Sequence, residues 1–262
     1  ADDQSRTYGA SNPPLTGTLT GVQNNDNLTV SFQTLADAGS PVGAYAITPV
    51  FSDPDNKLGN YNVLTNLGTL TIAPTPLTVA ADSQSRPYGQ TNPPLTVTYS
   101  GFVNGEDTNV LAGVPVLTTT AEVASPVGDY PIEITTGTLA STNYAFVFTN
   151  GVLSINPAVL LVRANDASRA YGATNPVFTA SYSGFVNNED THVLTGTAHF
   201  ETTAETNSPV GSYAIEVSGL IATNYSITFS NGVLSVTAAA LTASADDQSR
   251  TYGASNPPLT GT

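Results

Sequence analysis

Ser5-Arg6-Thr7-Tyr8-Gly9-Ala10-Ser11-Asn12-Pro13-Pro14-Leu15 stands near the start of the chain. It returns three times, as Ser85 to Leu95, Ser168 to Phe178 and Ser249 to Leu259. The shared frame is S-R-x-Y-G-x-[ST]-N-P. It is carried by Arg6, Tyr8, Gly9, Asn12 and Pro13, and again by Arg86, Tyr88, Gly89, Asn92 and Pro93. The third and fourth copies are Arg169, Tyr171, Gly172, Asn175 and Pro176, then Arg250, Tyr252, Gly253, Asn256 and Pro257. The four tyrosines stand 80, 83 and 81 residues apart. A period of that length is one small domain, so the chain reads as a tandem array. Repeats fall at 1–75, 76–157 and 158–240, and 241–262 carries the opening of a fourth.

Within the frame, Arg86 and Tyr88 are two apart and share a face if the stretch is extended. The guanidinium can stack on the ring or meet a carboxylate, and Asp2, Asp3, Asp82, Asp166, Asp246 and Asp247 supply acids nearby. Gly89 falls where a turn needs positive φ or a close backbone approach. Asn92-Pro93 is a turn dipeptide in which Asn can bond its own backbone. The frame predicts strand, sharp turn and second strand, with Arg and Tyr holding the turn.

Residues Ala1–Thr18 and Ala245–Thr262 are identical, whereas the other copies differ at many positions. Fold constraint does not require such identity, so it predicts a three-domain superrepeat in a longer array. The last 22 residues, Leu241–Thr262, supply only an opening strand and turn. Such a piece has no core of its own. It is expected to pack on the third repeat or to pair with a neighbouring chain by strand addition.

The chain has 20 acidic and 6 basic side chains, a net charge of −14, and no Cys, Met or Trp. That balance lacks the basic footprint of nucleic-acid or anionic-membrane binding. Disulfides are excluded, and a cysteine-free secreted β protein suits a bacterial surface. No apolar run reaches membrane-spanning length. The expected location is therefore extracellular, on a bacterial cell surface or secreted.

The second repeat shows the order most clearly. Leu77–Ala80 and Leu95–Tyr99 alternate as strands. Asn104-Gly105-Glu106-Asp107 predicts a short helical turn capped by Asn104. Val114–Ala121 and Tyr130–Thr135 are strands on either side of Ser125-Pro126-Val127-Gly128. Asn143-Tyr144 opens a strand, and Asn150-Gly151 predicts a tight hairpin into Val152–Ile155. The third repeat keeps this order. The first departs at Val22 and in an inserted loop, Phe51–Gly59. The joints Ile72–Leu77 and Ile155–Val159 are short and carry Pro, so they predict stiff connections and an extended rod.

Together these motifs (the frame, G-F-V-N-x-E-D, S-P-V-G-x-Y, N-Y, and F-x-N-G-V-L-S-[IV]) resemble the YGX-type MBG repeat of bacterial surface proteins. The resemblance covers the whole chain. It implies a mainly β, β-grasp-like module with one short helical turn, an immunoglobulin-like β-sandwich being the alternative. It also implies a stalk or fibre-forming repeat of a secreted, filamentous-haemagglutinin-like adhesin, and it carries over no catalytic residue.

Little other chemistry is legible. His192 and His199 lie seven apart in the third repeat, too few for a zinc site without Cys. No P-loop, HExxH, GxSxG or dinucleotide fingerprint occurs, and the chain reads as no enzyme. No cofactor is expected. Calcium is the one candidate, at Asp53-Pro54-Asp55-Asn56 or at the pairs Glu106-Asp107 and Glu189-Asp190. Leu58 replaces the required glycine in the first, and helix capping accounts for the pairs. Lys57 is the only lysine, which removes isopeptide bonds from repeats 2 and 3. Expected partners are neighbouring repeats or other copies end to end. A lectin-like alternative places Tyr99, Phe102, Tyr182 and Phe185 against polysaccharide, although they stand among alternating Leu and Val and read as core.

Overall fold

A computed structural model describes residues 1–262. The strands of the second repeat are β5 (Thr75–Ala81), β6 (Gln84–Pro87), β7 (Val97–Ser100), β8 (Val116–Thr119), β9 (Gly128–Thr135), β10 (Tyr144–Thr149) and β11 (Gly151–Asn156). They follow β1 (Gln4–Thr7), β2 (Thr29–Gln33), β3 (Gly43–Ser52) and β4 (Gly68–Ala73) of the first. The third repeat contributes β12 (Ala158–Ala164), β13 (Ala167–Ala170), β14 (Ala180–Ser183), β15 (Thr195–Glu201), β16 (Gly211–Ile221), β17 (Tyr225–Ser230) and β18 (Gly232–Thr237).

Period-two alternation explains the sheets. In β5, Leu77, Val79 and Ala81 are buried, and in β12 Ala158, Leu160, Val162 and Ala164 are. Each is the centre of a three-stranded sheet, ordered β10-β5-β7 and β14-β12-β17. Its neighbours run parallel on one side (β10, β17) and antiparallel on the other (β7, β14). A second, four-stranded sheet is ordered β6-β11-β9-β8 in repeat 2 and β13-β18-β16-β15 in repeat 3. Its inner face carries Ile132, Ile134, Leu153 and Ile155, all buried.

Two sheets of three and four strands make a β-sandwich, the second of the two architectures considered above, and not a β-grasp sheet covered by a helix. The cause is local. The only helical segments are single 3-10 turns, Leu58–Asn60, Thr108–Val110 and Thr191–Val193, and none of them buries a residue. With no apolar helix available, a second sheet has to close the core.

Two local expectations change with the topology. Asn150-Gly151 is not a hairpin turn, because β10 and β11 belong to different sheets. The Asn150 side-chain oxygen accepts from Ile134 N at 3.2 Å, and Gly151 lies against the Ala81 carbonyl, where a Cβ would come within 2.6 Å. The dipeptide serves a crossing between layers. Nor is Asn104 the cap. It lies in the left-handed region at φ 56°, and the Asp107 carboxylate caps the turn by accepting from Asn109 N.

By contacts, the chain divides into two compact units. One is Ala1–Arg86 with Gln90–Ile155, and the other is Pro87–Gly89 with Asn156–Thr262. In the first, repeats 1 and 2 share one apolar cluster of Tyr8, Ala36, Ile47, Leu70, Ile72, Leu77 and Tyr144. Repeat 1 has only the four-stranded sheet β1-β4-β3-β2. Ala1 occupies the place of Ala81, the last residue of a central strand, and the stretches equivalent to β7 and β10 carry no strand. The expectation that Leu241–Thr262 packs on the third repeat is not met. Its residues are almost all exposed, and its hydrogen bonds run within the segment, as in Ser244 N to Thr262 O and Asp246 N to Thr260 O.

Candidate functional site

The frame divides into two devices, a clamp within its own repeat and a plug into the following one. The clamp begins with Arg6 at the inward position of β1, where only 8% of its surface remains exposed. Its Nε donates to Asn12 Oδ1 at 2.7 Å, and its terminal nitrogens donate to the Thr7 and Asp37 carbonyls. Asn12 Nδ2 in turn donates to Ala36 O at 2.6 Å. Arg86 with Asn92 repeats this, reaching Glu122 O and Ala121 O. Arg169 with Asn175 repeats it again on Glu205 O and Ala204 O. Pro13, Pro93 and Pro176 follow in the loop beyond each clamp. The arginine therefore does not stack on the tyrosine or pair with a carboxylate. A planar fork suits several carbonyls at fixed angles, and those bonds satisfy a cation that burial would otherwise penalise. Nor does the Asn bond its own backbone. The neighbouring Asp82 serves another strand: the Thr96 and Thr98 hydroxyls donate to it and hold its carboxyl below the usual carboxylate range.

The plug is Tyr8. It lies one residue beyond β1, where the ring leaves its own sheet. Its hydroxyl donates to Glu106 Oε1 at 2.6 Å, and Tyr144 donates to the other oxygen, Oε2, at 2.5 Å. The Tyr144 oxygen also accepts from Val103 N at 3.1 Å. The two rings meet edge to face with centroids 5.8 Å apart, and Phe102 packs on Tyr144 in the same manner at 5.4 Å. Gly9, at φ 78°, lets the backbone press on Val103, where an added Cβ would fall 2.4 Å from Cγ2. Around this core, Tyr8 N donates to Ala73 O, Thr75 Oγ1 donates to Tyr8 O, and Val42 N donates to Asn143 Oδ1. Apart from Tyr8 and Gly9 of the frame and Val42 of S-P-V-G-x-Y, these groups come from the G-F-V-N-x-E-D or N-Y motif, or from the strand joint.

The second unit holds the same constellation. Tyr88 donates to Glu189 Oε1 at 2.6 Å and Tyr225 to Oε2 at 2.5 Å. Val186 N donates to the Tyr225 oxygen, Phe185 packs edge-on to Tyr225, and Gly89 lies against Val186. Burial first, and then the carboxylate, push Tyr144 and Tyr225 up to about 12. The bond to the carboxylate is the main cause raising Tyr8 and Tyr88. All four phenols are thereby held as neutral donors, as an acceptor-only carboxylate requires.

The remaining copies lack partners for the plug. Tyr171 is 49% exposed and Gly172 has nothing within 4 Å of its would-be Cβ. Tyr252 is fully exposed, Gly253 is equally open, and Arg250 donates to Ala254 O. Asn256 is exposed and Pro257 partly buried. Repeat 1 carries the corresponding socket residues. Tyr61 donates to Asp26 Oδ2 at 2.6 Å and its oxygen accepts from Gln23 N, an arrangement that matches Tyr144, Glu106 and Val103.

The role of Glu106 and Glu189 was not foreseen from helix capping, which only Asp107 and Asp190 perform. The signal lay in the spacing: each frame tyrosine precedes its glutamate by 98 or 101 residues. Tyr99, Phe102, Tyr182 and Phe185 lie in half-buried ring clusters beside Tyr144 and Tyr225. His192 and His199 are exposed and bond to Asp190 and Glu201. Asp53 accepts from Lys57 N and Leu58 N and so closes the loop that leads into the 3-10 turn. No cluster of three or more His, Asp or Glu side chains is positioned to hold a metal.

Comparison with known families places this arrangement. The family model of the MBG domain (YGX type) matches residues 1–71, 77–154 and 160–235. The chain belongs to the MBG family. Domains of this family occur in surface proteins and are structural repeats, not an enzymatic kind of domain. Among solved structures, Drosophila N-cadherin EC1-3 aligns at 8% identity and TM-score 0.26, covering 91% of this chain and 98% of that one. The titin I9–I11 tandem aligns at 11% and 0.23, covering 91% and 97%. The three N-terminal domains of the bacteriophage RB49 outer capsid protein Hoc align at 10% and 0.22, covering 84% and 92%. No curated relative matches the sequence. No helix is long and apolar enough to cross a membrane.

Proposed function

We propose that this MBG array is the stalk or fibre-forming repeat region of a bacterial extracellular adhesin, holding other parts of the surface structure at a distance. The observation that carries this reading is the plug in its carboxylate socket, built at Tyr8 and again at Tyr88. A repeat whose motif residues serve the following repeat is suited to transmitting load. The strand joints support it too: only Pro74 separates β4 from β5, and only Pro157 separates β11 from β12. No Gly/Ser coil intervenes, and a proline spacer resists bending.

The test is small-angle scattering on the 262-residue chain, with and without chelator. An elongated particle whose dimensions hold on chelation supports a stalk stiffened by packing alone. A flexible string under both conditions would refute it. Collapse on chelation would assign the stiffness to calcium instead. The lectin reading predicts glycan binding that Tyr182→Ala abolishes, but its rings are engaged with Phe185 and Tyr225.

A further inference from the structure

We propose that Asn104-Gly105 is a site of spontaneous covalent modification, at which the asparagine loses its side-chain amide and the joint between repeats 1 and 2 loosens. The backbone nitrogen of Gly105 attacks Cγ of Asn104. The side-chain nitrogen leaves as ammonia, taking the proton that Gly105 N gives up. Water then opens the resulting cyclic imide at either carbonyl. The product is aspartate, or isoaspartate with an extra methylene in the backbone.

The reaction depends on how closely the next backbone nitrogen can approach, so a following glycine, with no Cβ to obstruct it, favours it most. The chain has three Asn-Gly steps, beginning at Asn104, Asn150 and Asn231. Two are locked. Gly151 and Gly232 are buried strand residues paired with Ile132 and Ile215, and a Cβ on either would fall 2.6 or 2.5 Å from the carbonyl oxygen of Ala81 or Ala164. The Asn150 side chain is also tied to Ile134 N. Asn104-Gly105 is the reverse. Both residues are exposed and left-handed, at φ 56° and 71°, and nothing lies within 4 Å of a Cβ built on Gly105. They are the central pair of a turn closed by Glu106 N, which donates to Val103 O at 3.0 Å. Asn104 Nδ2 donates to Ala38 O across a long 3.3 Å.

What the turn carries gives the modification its effect. Val103 N donates to Tyr144, and Glu106 accepts from Tyr8 and Tyr144, so Asn104-Gly105 links the two halves of the socket. Ala38 belongs to repeat 1, so the amide also bonds across the joint. Loss of the NH2 removes that bond and turns an anionic oxygen toward a carbonyl. It also sets a second carboxylate near Tyr8, where Glu106 already raises the phenol and the Asn104 amide, next in size, lowers it. Isoaspartate further lengthens the turn and shifts Glu106 against Val103. The matching turn of repeat 3, closed by Glu189 N on Val186 O, reads Asn187-Asn188 at φ 55° and 58°. There the Cβ of Asn188 obstructs the attack, so the two sockets age at different rates.

The test holds the whole chain in warm, mildly alkaline buffer and follows it by peptide mapping with isoaspartyl labelling. The expected result is a gain of about 1 Da on the peptide containing Asn104, arising at least about tenfold faster than on those containing Asn150, Asn187 or Asn231. Gly105→Asn reproduces the sequence that the fold accepts at Asn187-Asn188, and it should slow the change at Asn104 by about tenfold. The modified chain is then separated by anion exchange and compared with the fresh chain by hydrogen exchange. Its Val103 and Glu106 amides should exchange at least about tenfold faster, with those of Val186 and Glu189 unchanged. Asn104→Asp supplies the charge without the methylene and should also speed exchange at Val103 and Glu106. Three outcomes overturn the proposal: modification at Asn150 or Asn231 as fast as at Asn104, a rate at Asn104 that Gly105→Asn leaves intact, or a modified chain whose Val103 and Glu106 protection is unchanged.

Discussion

Glu106→Gln tests the reading of the site most directly, because it keeps the side chain's shape and removes only its charge. The Glu106 carboxylate accepts two phenol hydrogens, at 2.6 Å from Tyr8 and 2.5 Å from Tyr144, both rings being buried. Hydrogen bonds to a charged group contribute about 1.5–3 kcal/mol each, against about 1 for neutral pairs. A glutamine keeps one acceptor oxygen and turns a donor NH2 toward the other phenol. One bond then falls to neutral strength and one buried phenol hydrogen loses its acceptor. The expected loss is about 2–4 kcal/mol. Urea unfolding followed by far-UV circular dichroism reads it: at about 1–3 kcal/mol per molar, the midpoint of the unit containing repeats 1 and 2 falls by roughly 1–2 M with the slope unchanged. Glu189→Gln should do the same to the other unit. Glu133→Gln, on the exposed side of β9, should change neither. A Tyr8→Phe/Glu106→Gln double-mutant cycle should show a coupling of about 1 kcal/mol or more. If Glu106→Gln matches Glu133→Gln, or the cycle is additive, the carboxylate does not hold the plug.

The remaining expectations follow from the same geometry. Neutral phenols are favoured in the folded state, since Tyr144 and Tyr225 are raised to about 12 from the ordinary value near 10. Above pH 10 the unfolded chain therefore binds fewer protons, and stability present at pH 7–9 should fall as pH rises from 10 towards 12. Calorimetry against pH checks this, and Tyr144→Phe together with Tyr225→Phe should flatten the fall. Gly9→Ala should cost about 2–4 kcal/mol by chemical denaturation, combining left-handed strain with a collision on Val103. Gly172→Ala has the strain without the collision and should cost only about 1 kcal/mol. Arg86→Lys replaces a fork by a single ammonium and should cost about 2–4 kcal/mol, measured against Arg163→Lys at an exposed pair.

Much of this was legible in the sequence because strands and turns are local. The alternation of Leu77, Val79 and Ala81 fixes a face, and the glycine after each frame tyrosine marks the left-handed position found at Gly9 and Gly89. The partners of the frame were not local. Tyr8 meets Glu106 98 residues on, more than a full period away, so pattern within one period could assign it only to a core or a turn. The arginine misled for a related reason. Charge pairing suggests the nearby aspartates, but backbone carbonyls 31 to 36 residues on are fixed in place and need donors. Asn150-Gly151 shows the limit of turn chemistry, since a hairpin and a layer crossing ask for the same residues. Only the sheet partners, β5 for β10 and β9 for β11, distinguish them.

The position of the plug also separates the unit of sequence from the unit of stability. A repeat cut at its sequence boundary leaves its own tyrosine without a carboxylate, and leaves its own carboxylate with one phenol in place of two. Between repeats 1 and 2, by contrast, the plug joins a single apolar cluster from Ile47 to Tyr144. Energy placed at such a boundary adds to the array and not to the module, the nearest-neighbour coupling that makes repeat proteins cooperative. The frame residues split accordingly. Arg6 and Asn12 stabilise the repeat that contains them, whereas Tyr8 and Gly9 stabilise the connection to the repeat that follows. Conservation of one frame across four copies therefore reflects two constraints, and only the second requires an array.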